Sequence, residues 1–513
     1  MRASCGVVAA GQHRGPGYHR RHPAQAEPQP ETTAGRPGRR IRRTGRWTAR
    51  RQLIPGRRCP VRVGIIGGGV AGLAAAYDLT AQGHYAEVFE VAPFLGGQAS
   101  TFPAGSPRSD GTMGQLERGY HHLFVSDTAI TELIHELGLG DKLAWLESKV
   151  GLYHSGRIWD FSTPMDLLRF KPLSLWDRFR VGLWTLRLQR AADYSKFEDI
   201  TARDWLSRHM GRRAYEILFE PLLRGKFGDH YDQVSMTWLW GKVRLRVASR
   251  GKTMQKERLG YPMGSFGEVI DRLAERITRQ GGDVHTSAFV SQVLIDDDNR
   301  ATGLQVQLGR DTAPEQRDYD VVIATTPSYV FTRLVPPMPD DYQQMLTGVD
   351  YLSAVLLILE LDRPLTAKYW INIAPDPDTD GEMPFVGIIE HTNMIDKSLY
   401  GGRHIVYISN YPDRASELYQ MEPDELLDLF IPHLRKLNPA FDRSWVQNYH
   451  HHRVDGAQPI IGRNYSRRIP PHRTPVNNLY LANTTQIFPE DRGTNYSIRM
   501  GRQVAQMVID DAH

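Results

Sequence analysis

From Val61 the chain reads Val-Arg-Val-Gly-Ile-Ile, a short apolar run of strand type, and after a glycine cluster the apolar positions move to Ala/Leu-rich helical spacing through Leu79. Gly83 ends that helix and Ala86 to Glu90 reads as a second strand, so residues 61–90 form a beta-alpha-beta unit. Residues 128–250 read as mostly helical, with Trp, Leu and Phe recurring among Arg and Asp. Mixed strand and turn patterns return from about 284 to 410, an apolar strand follows at Leu479 to Ala482, and a helix is expected from about 496 to 510. No internal repeat is visible, and no run approaches the roughly 18 uncharged apolar residues that a spanning helix needs.

Charge placement changes how this body is read. Residues 1–60 hold 14 Arg, no Lys and two acids, Glu27 and Glu31, a net charge of +12, whereas residues 61–513 hold 49 basic and 56 acidic residues, a net of −7. The basic balance belongs to the leader, so a nucleic-acid partner for the whole protein loses its support. Rich in Arg, Gly and Pro, the leader is expected to be disordered, or to be an upstream translation ahead of a start near Val61 or Val63. Cys5 and Cys59 both lie in it, which leaves the body without a thiol for a disulfide, a metal site, an iron-sulfur cluster or a nucleophile. The expected location is cytoplasmic.

Gly67-Gly68-Gly69-Val70-Ala71-Gly72 contains G-x-G-x-x-G between the first strand and its helix, and Glu90 ends the next strand 18 residues after Gly72. That context suits a dinucleotide. Gly67 permits a tight turn, Gly69 lets the backbone approach a pyrophosphate, and Gly72 allows close helix packing. The helix N-terminus at Val70 and Ala71 offers unpaired N–H groups to the anion, and Glu90 is placed to accept from a ribose hydroxyl. Six residues after Glu90, Gly96-Gly97 in Phe-Leu-Gly-Gly-Gln supply a second close-approach turn.

With that second turn, Val63 to Gly97 resembles the FAD-binding fingerprint of the flavin amine oxidase superfamily, which includes protoporphyrinogen oxidases, phytoene-type desaturases and monoamine oxidases. Further segments resemble the family in the right order. Arg118-Gly119-Tyr120-His121-His122 is similar to the stretch beside the flavin ring, Gly260 to Phe266 to a Gly-rich turn before a helix, and Asp320 to Pro327 to the strand returning to the nucleotide domain. Asn478 to Asn483 and Gly493 to Gly501 resemble the C-terminal FAD motif. The resemblance implies an α/β fold: a Rossmann-type FAD-binding domain (GR2-like) with an inserted mostly helical substrate domain and a mixed β-sheet. FAD-binding parts are expected at 61–150, 256–335 and 456–513, and substrate-domain parts at 151–255 and 336–455, after the leader at 1–60. Cofactor contacts carried over are Gly67, Gly69, Val70, Ala71, Gly72, Glu90, Gly96, Gly97, Gln98, Val290, Thr325, Asn483, Gly493, Thr494 and Asn495. Two positions depart from the family: Gln98 stands where an Arg commonly follows the paired glycines, and Ala482-Asn483 where Gly and an acid are usual. Asn483 can still hydrogen-bond a ribityl or phosphate oxygen.

A flavin takes a hydride at N5, so the protein must hold a substrate C–H bond against the ring in a dry pocket, and no acid-base residue is strictly required. His121, His122 and Tyr496 are the expected flavin-lining candidates. Trp159, Trp176, Trp184, Trp205, Trp238 and Trp240 read either as the wall of a cavity for a large apolar substrate or as filling for helical cores. Arg224 and Lys226, between glycines in Pro221 to Gly228, read as an anion contact or a solvated turn. His450-His451-His452 read as surface histidines rather than a metal site, because neighbours on a strand point to opposite faces. From Leu173 to Arg190, apolar residues near helical spacing with four Arg between them describe either a core-facing helix or one lying on an anionic membrane. The expected function is an FAD-dependent dehydrogenase or oxidase acting on a tetrapyrrole or polyene/prenyl substrate. Oxygen or a quinone would be its electron acceptor, and peripheral membrane contact is part of the expectation. Alternatives are an isomerase resembling UDP-galactopyranose mutase, with the 224–226 turn, Arg492 and Arg499 holding a diphosphate; an amine oxidase; and a non-catalytic flavoprotein.

Overall fold

A computed structural model describes residues 60–248 and 257–512, so the reading of the leader lies, but for Pro60, outside the described residues. Arg62–Ile66 is the central strand of a five-stranded parallel sheet, with Tyr85–Phe89 and then Asp283–His285 on one side and Val321–Ala324 and then Leu479–Leu481 on the other. Across the sheet these strands stand third, second, first, fourth, fifth in chain order. The connections therefore reverse direction beside the first strand, and a crevice opens at its carboxyl end, where Gly67 follows.

Alternation along the first strand assigns its two faces. Val63 and Ile65 pack into a core shared with the helices Val70–Ala81, Ser265–Arg279 and Thr494–Asp511. Ile66, on the opposite face, joins a core formed with an antiparallel sheet of Ala288–Ile295, Ala301–Leu308 and Glu315–Asp318. Gly64 shares that second face, and a Cβ there would stand 2.6 Å from the Tyr319 ring.

A second, seven-stranded sheet runs in the order Val446–Pro459, Tyr351–Leu361, His404–Asn410, Gly387–Glu390, Trp370–Ile373, Val150–His154, Arg157–Asp160. Its central strands also divide their residues. Leu356, Ile358 and Tyr407 enter the core of the nucleotide-binding part, while Leu357, Leu359, Val406 and Ile408 pack with helix Pro423–Leu437. The helices Leu175–Arg190, Ala202–His209, Glu220–Phe227 and Met236–Ala248 form a separate cluster around Trp205, Trp238 and Trp240.

The beta-alpha-beta unit, the strand at Leu479 and the last helix stand where expected, within two residues at most ends. Residues 128–250 differ from the mostly helical reading: Leu143–Glu147, Val150–His154 and Arg157–Asp160 are strands, and the continuous helical insertion begins at Pro164. These runs are four or five residues long; the first two pair with Arg258–Pro262 and Trp370–Ile373, far off in sequence, and Arg157–Asp160 folds back on Val150–His154 as a hairpin. A domain break between 150 and 151 would cut the strand Val150–His154.

Helix Thr494–Asp511 crosses helix Val70–Ala81 so closely that a Cβ on Gly501 would lie 2.2 Å from the Ala71 carbonyl oxygen. Gly501→Ala is expected to destabilise the protein by about 1–3 kcal/mol despite the better helix propensity of Ala. Chemical denaturation of both forms checks this.

Candidate functional site

The turn after the first strand is held by backbone and by two side chains. Gly67 has φ +109°, and a Cβ there would strike Thr325 Oγ1 at 2.4 Å. Thr325 Oγ1 donates toward the carbonyls of Ile66 (3.0 Å) and Gly67 (3.2 Å), closing the turn. Glu90 accepts from Gly68 N at 2.7 Å through Oε2 and from Ala92 N at 2.8 Å through Oε1. Each carboxylate oxygen keeps a further lone pair, so the acid is oriented by protein and still able to accept from a ribose.

Gly96 N donates to Gly68 O at 2.8 Å, and Gly97, at φ +56°, presses its backbone on Gly69. A Cβ on Gly72 would lie 2.1 Å from Gly67 O. Gly69 differs: the nearest atom to a Cβ there is Gly97 Cα at 3.9 Å, so this position borders open space. Gly69 caps the helix that continues through Val70 and Ala71 with no side-chain cap and no acid in its first turn. Gly493 does the same for the last helix. Two helix N-termini with unpaired N–H groups are thus left for an anion or a polar ring edge, and glycine backbone is open beside the first. These features fit FAD.

Gln98 brings the third segment in. Arg492 Nη1 donates to Gln98 Oε1 at 3.0 Å, Arg492 Nε donates to Gln458 Oε1 at 2.9 Å, and the guanidinium lies 5.7 Å from the Tyr411 ring centre. A guanidinium therefore reaches the corner where the family usually has an Arg at position 98, supplied here from the residue before Gly493. Next to it, buried Asp491 takes Lys226 Nζ and Lys242 Nζ at 2.5 Å each and Trp238 Nε1 at 3.0 Å. Lys226 is helical, not in a turn, and Arg224 pairs with Glu220 at 2.8 Å.

Other expected residues fall into different settings. Thr494, Asn495 and Tyr496 are buried in the first turn of the last helix, Asn495 Oδ1 accepts from Ile130 N at 3.2 Å, and Arg499 lies over the Tyr496 ring. Asn483 is committed to protein: Nδ2 donates to Thr326 O at 3.1 Å and Ser328 Oγ at 3.2 Å, while Oδ1 accepts from Thr485 N and Oγ1. The Val290 side chain belongs to the core behind the parallel sheet, in a strand that pairs it with Val306. His121 Nδ1 donates to Gly119 O at 2.6 Å, and burial, with Arg492 nearby, pushes its pKa down to about 4. His122 meets Tyr369 OH at 3.1 Å and packs against Phe124 and Trp370.

His450, His451 and His452 are half-buried, not surface histidines. His450 Nε2 lies 2.7 Å from Glu360 Oε1, and the rings of His450 and His452 both meet Phe102 edge-on at 4.7 Å. Alternation does separate His451 from the other two, but the face that His450 and His452 share is covered by the Thr101–Ala104 strand. Five of the six tryptophans of the helical region pack among its buried aromatics, and Trp176 points outward. Asp491, Tyr411 and Trp370 were not singled out from sequence, and Tyr120 only as part of the Arg118 to His122 segment. Asp491 adjoins Arg492-Gly493 and could have been read with them; Tyr411 and Trp370 sit in no local pattern.

A crevice at the reversal point of a parallel sheet, glycine backbone at its mouth and two uncapped helices define a dinucleotide-binding flavoprotein fold. The chain belongs to the flavin containing amine oxidoreductase family, which it matches over residues 70–509, the family that its sequence resembles. It is 22% identical over 326 residues to a 15-cis-phytoene desaturase of Synechococcus elongatus, covering 60% of this chain and 66% of that one. It is 23% identical over 301 residues to protoporphyrinogen oxidase 2 of Arabidopsis thaliana, covering 52% and 57%. The chain thus spans 66% and 57% of these two relatives' lengths, less than two thirds of each. Reduced UDP-galactopyranose mutase superposes with a TM-score of 0.65 at 16% identity over 88% of this chain and 94% of that one, a likeness of fold.

Gly69→Ala tests the cradle without disturbing the fold. The apoprotein should lose only about 1 kcal/mol, because Ala is a poorer N-cap than Gly, whereas the methyl group intrudes on the cofactor's backbone contact and should weaken FAD binding about tenfold or more. Titration of apoprotein with FAD and thermal melts read the two effects separately.

Glu117, fully buried just before Arg118, accepts from Tyr261 OH at 3.0 Å and from Phe266 N at 2.9 Å, and burial raises its carboxyl to about 7. A raised acid stabilises the fold fully below its unfolded pKa, and that contribution is lost as pH rises through about 7. Glu117→Gln keeps an acceptor without the titrating proton. The melting temperature of the variant should therefore gain on the wild type from pH 5 to pH 8, and a constant offset would refute the assignment.

Proposed function

We propose that the protein is an FAD-dependent oxidoreductase, a dehydrogenase or oxidase, that removes a hydride from a hydrophobic substrate of tetrapyrrole or polyene/prenyl type. FAD, when bound, supplies the two-electron acceptor. Gly67, Gly69, Gly72, Gly96 and Gly97 would admit its pyrophosphate, Glu90 its ribose, and the last helix N-terminus with Arg492 an electron-rich edge of the ring.

The observation that carries the substrate class is the wall around Tyr120. Its ring meets Trp370 edge-on at 4.9 Å and Tyr407 at 6.1 Å, and its hydroxyl lies 3.3 Å from Tyr411 OH. Aromatic rings so placed would meet a bound apolar group through van der Waals contact. His121 is neutral at pH 7 with its Nδ1 proton on Gly119 O, so its Nε2 is an acceptor and no fixed charge. Against a sugar diphosphate, three of the four cations considered for it are engaged by carboxylates: Arg224 by Glu220, Lys226 by Asp491 and Arg499 by Glu490.

Oxygen or a quinone would take the electrons onward, and a peripheral membrane contact in the cytoplasm suits both a lipid-soluble acceptor and a lipid-soluble substrate. Among the described residues no helix is long and apolar enough to cross a membrane. Anaerobic mixing of the FAD-loaded protein with a porphyrinogen, a polyene, an amine and a UDP-sugar tests the reading. A porphyrinogen or polyene should bleach the visible flavin absorbance, and oxygen or a quinone should restore it. Bleaching by the amine alone would make it an amine oxidase. Conversion of the UDP-sugar by reduced enzyme without net electron transfer would make it an isomerase, and a flavin inert even to dithionite would remove the enzyme reading.

A further inference from the structure

Nine large apolar side chains are exposed among the described residues, and six of them fall within residues 165–186: Met165, Leu168, Leu175, Trp176, Phe179 and Leu186. They belong to two consecutive helices, Pro164–Arg169 and Leu175–Arg190. Arg178 ties these together, donating through Nη1 to Leu168 O at 2.7 Å and through Nε to Leu173 O at 2.8 Å. Leu175 is 76% exposed and Trp176 65%, and the Trp176 and Phe179 rings stack at 5.7 Å on the outer surface.

The longer helix is turned so that much of its apolar surface faces away from the protein. Positions 175, 176, 179, 182, 183 and 186 follow one face at helical spacing, while the inward face buries Val181 and Leu188. Cations flank the outward face. Arg187 and Arg190 are exposed at the end of the helix, and Arg169 and Lys171 are exposed in the shorter helix and the connection. Residues 164–190 contain six basic and two acidic residues, although the body from 61 to 513 is net acidic. Both acids are engaged locally: Asp166 accepts from Ser162 N and Thr163 N, and Asp177 accepts from Ser174 Oγ at 2.7 Å.

We propose that this helix pair is a docking surface for an anionic phospholipid membrane, the apolar face entering the headgroup–acyl boundary and the flanking Arg and Lys side chains meeting lipid phosphates. A second copy of the chain is disfavoured by charge, because face-to-face pairing would oppose two basic rims. The proposal deepens the membrane contact included in the proposed function by naming its surface. Its test reads binding, not turnover, so either can fail alone.

Flotation of the FAD-loaded full chain with phosphatidylglycerol/phosphatidylcholine vesicles, compared with phosphatidylcholine alone, tests it. Binding is expected to the anionic vesicles, to fall about tenfold or more in Trp176→Ser/Phe179→Ser, and to fall several-fold in Arg187→Gln/Arg190→Gln. Flavin absorbance should stay at wild-type values in both variants and melting temperature close to them, since all four side chains are outside the core and, beyond the Trp176–Phe179 stack itself, only Arg187 gives up a ring contact, that over Trp184. Wild-type-like binding by the apolar double variant would overturn the proposal and assign any attachment to the Arg-rich leader. So would no binding by the wild type, or a dimer in solution that the apolar double variant dissolves.

Discussion

At one place in this molecule backbone must lie against backbone, and the rest of the site depends on it. Gly72 passes over the Gly67 carbonyl, Gly97 touches Gly69, and Gly501 rests on the Ala71 carbonyl, each within a distance that a Cβ would abolish. The missing side chains let the turn after the first strand, the turn after the second and the last helix converge on one crevice, although they come from opposite ends of the chain. Once they converge, two helix starts lie there with N–H groups that no side chain caps. Burying such groups unpaired is costly, so the geometry that lets the chain approach itself also creates the demand for an acceptor-rich ligand.

Charge around the crevice is arranged by contrast. Burial alone would raise the Asp491 carboxyl, but Lys226 and Lys242 outweigh it and hold it well below the usual carboxylate range. Glu117 is as deeply buried and has a phenol and an amide for partners, with no cation, and its carboxyl rises to about 7. Asp491 thereby does structural work that Glu117 cannot: through Lys226, Lys242 and Trp238 it ties the helical insertion to the loop that starts the last helix. Removing either side of such a buried pair leaves an uncompensated charge, so the orientation of the insertion toward the crevice is coupled to Arg492 and Gly493 beside it.

How much of this was legible follows from how far each determinant reaches along the chain. The glycine turn, its flanking strand and helix, and Glu90 are local, so pattern and spacing find them. The strands Leu143–Glu147 and Val150–His154 are not, because their partners lie far away in sequence, and Arg157–Asp160 pairs only onto the second of them. Gln98 could be read from its neighbours only as a departure from the family's Arg; its partner Arg492 is 394 residues away. Asn483 was legible as a polar residue at a motif position but not as a committed one, since its amide is claimed by Thr326, Ser328 and Thr485 in the fold. The His450–His452 run shows the same limit: alternation separated His451 from its neighbours correctly, yet burial depended on Phe102 and Glu360, which no local pattern connects to that strand.

Helix Leu175–Arg190 shows what periodicity leaves open even when it identifies the element. Its Trp, Phe and Leu positions have helical spacing, but spacing fixes only which residues share a face, not whether that face meets the core. An ordinary surface helix would bury Trp176 and Phe179 and solvate its arginines. Here the inward side is taken by Val181 and Leu188, while Arg180 donates to the carbonyls of Arg208 and His209 and Arg178 to those of Leu168 and Leu173. Two of the four arginines are therefore used as clamps to neighbouring backbone, which holds the helix in a rotation that leaves Trp176 and Phe179 outward while Trp184 packs against Trp205. That rotation is produced by hydrogen bonds to carbonyls, groups present at every residue, and so it leaves no mark in the amino-acid pattern.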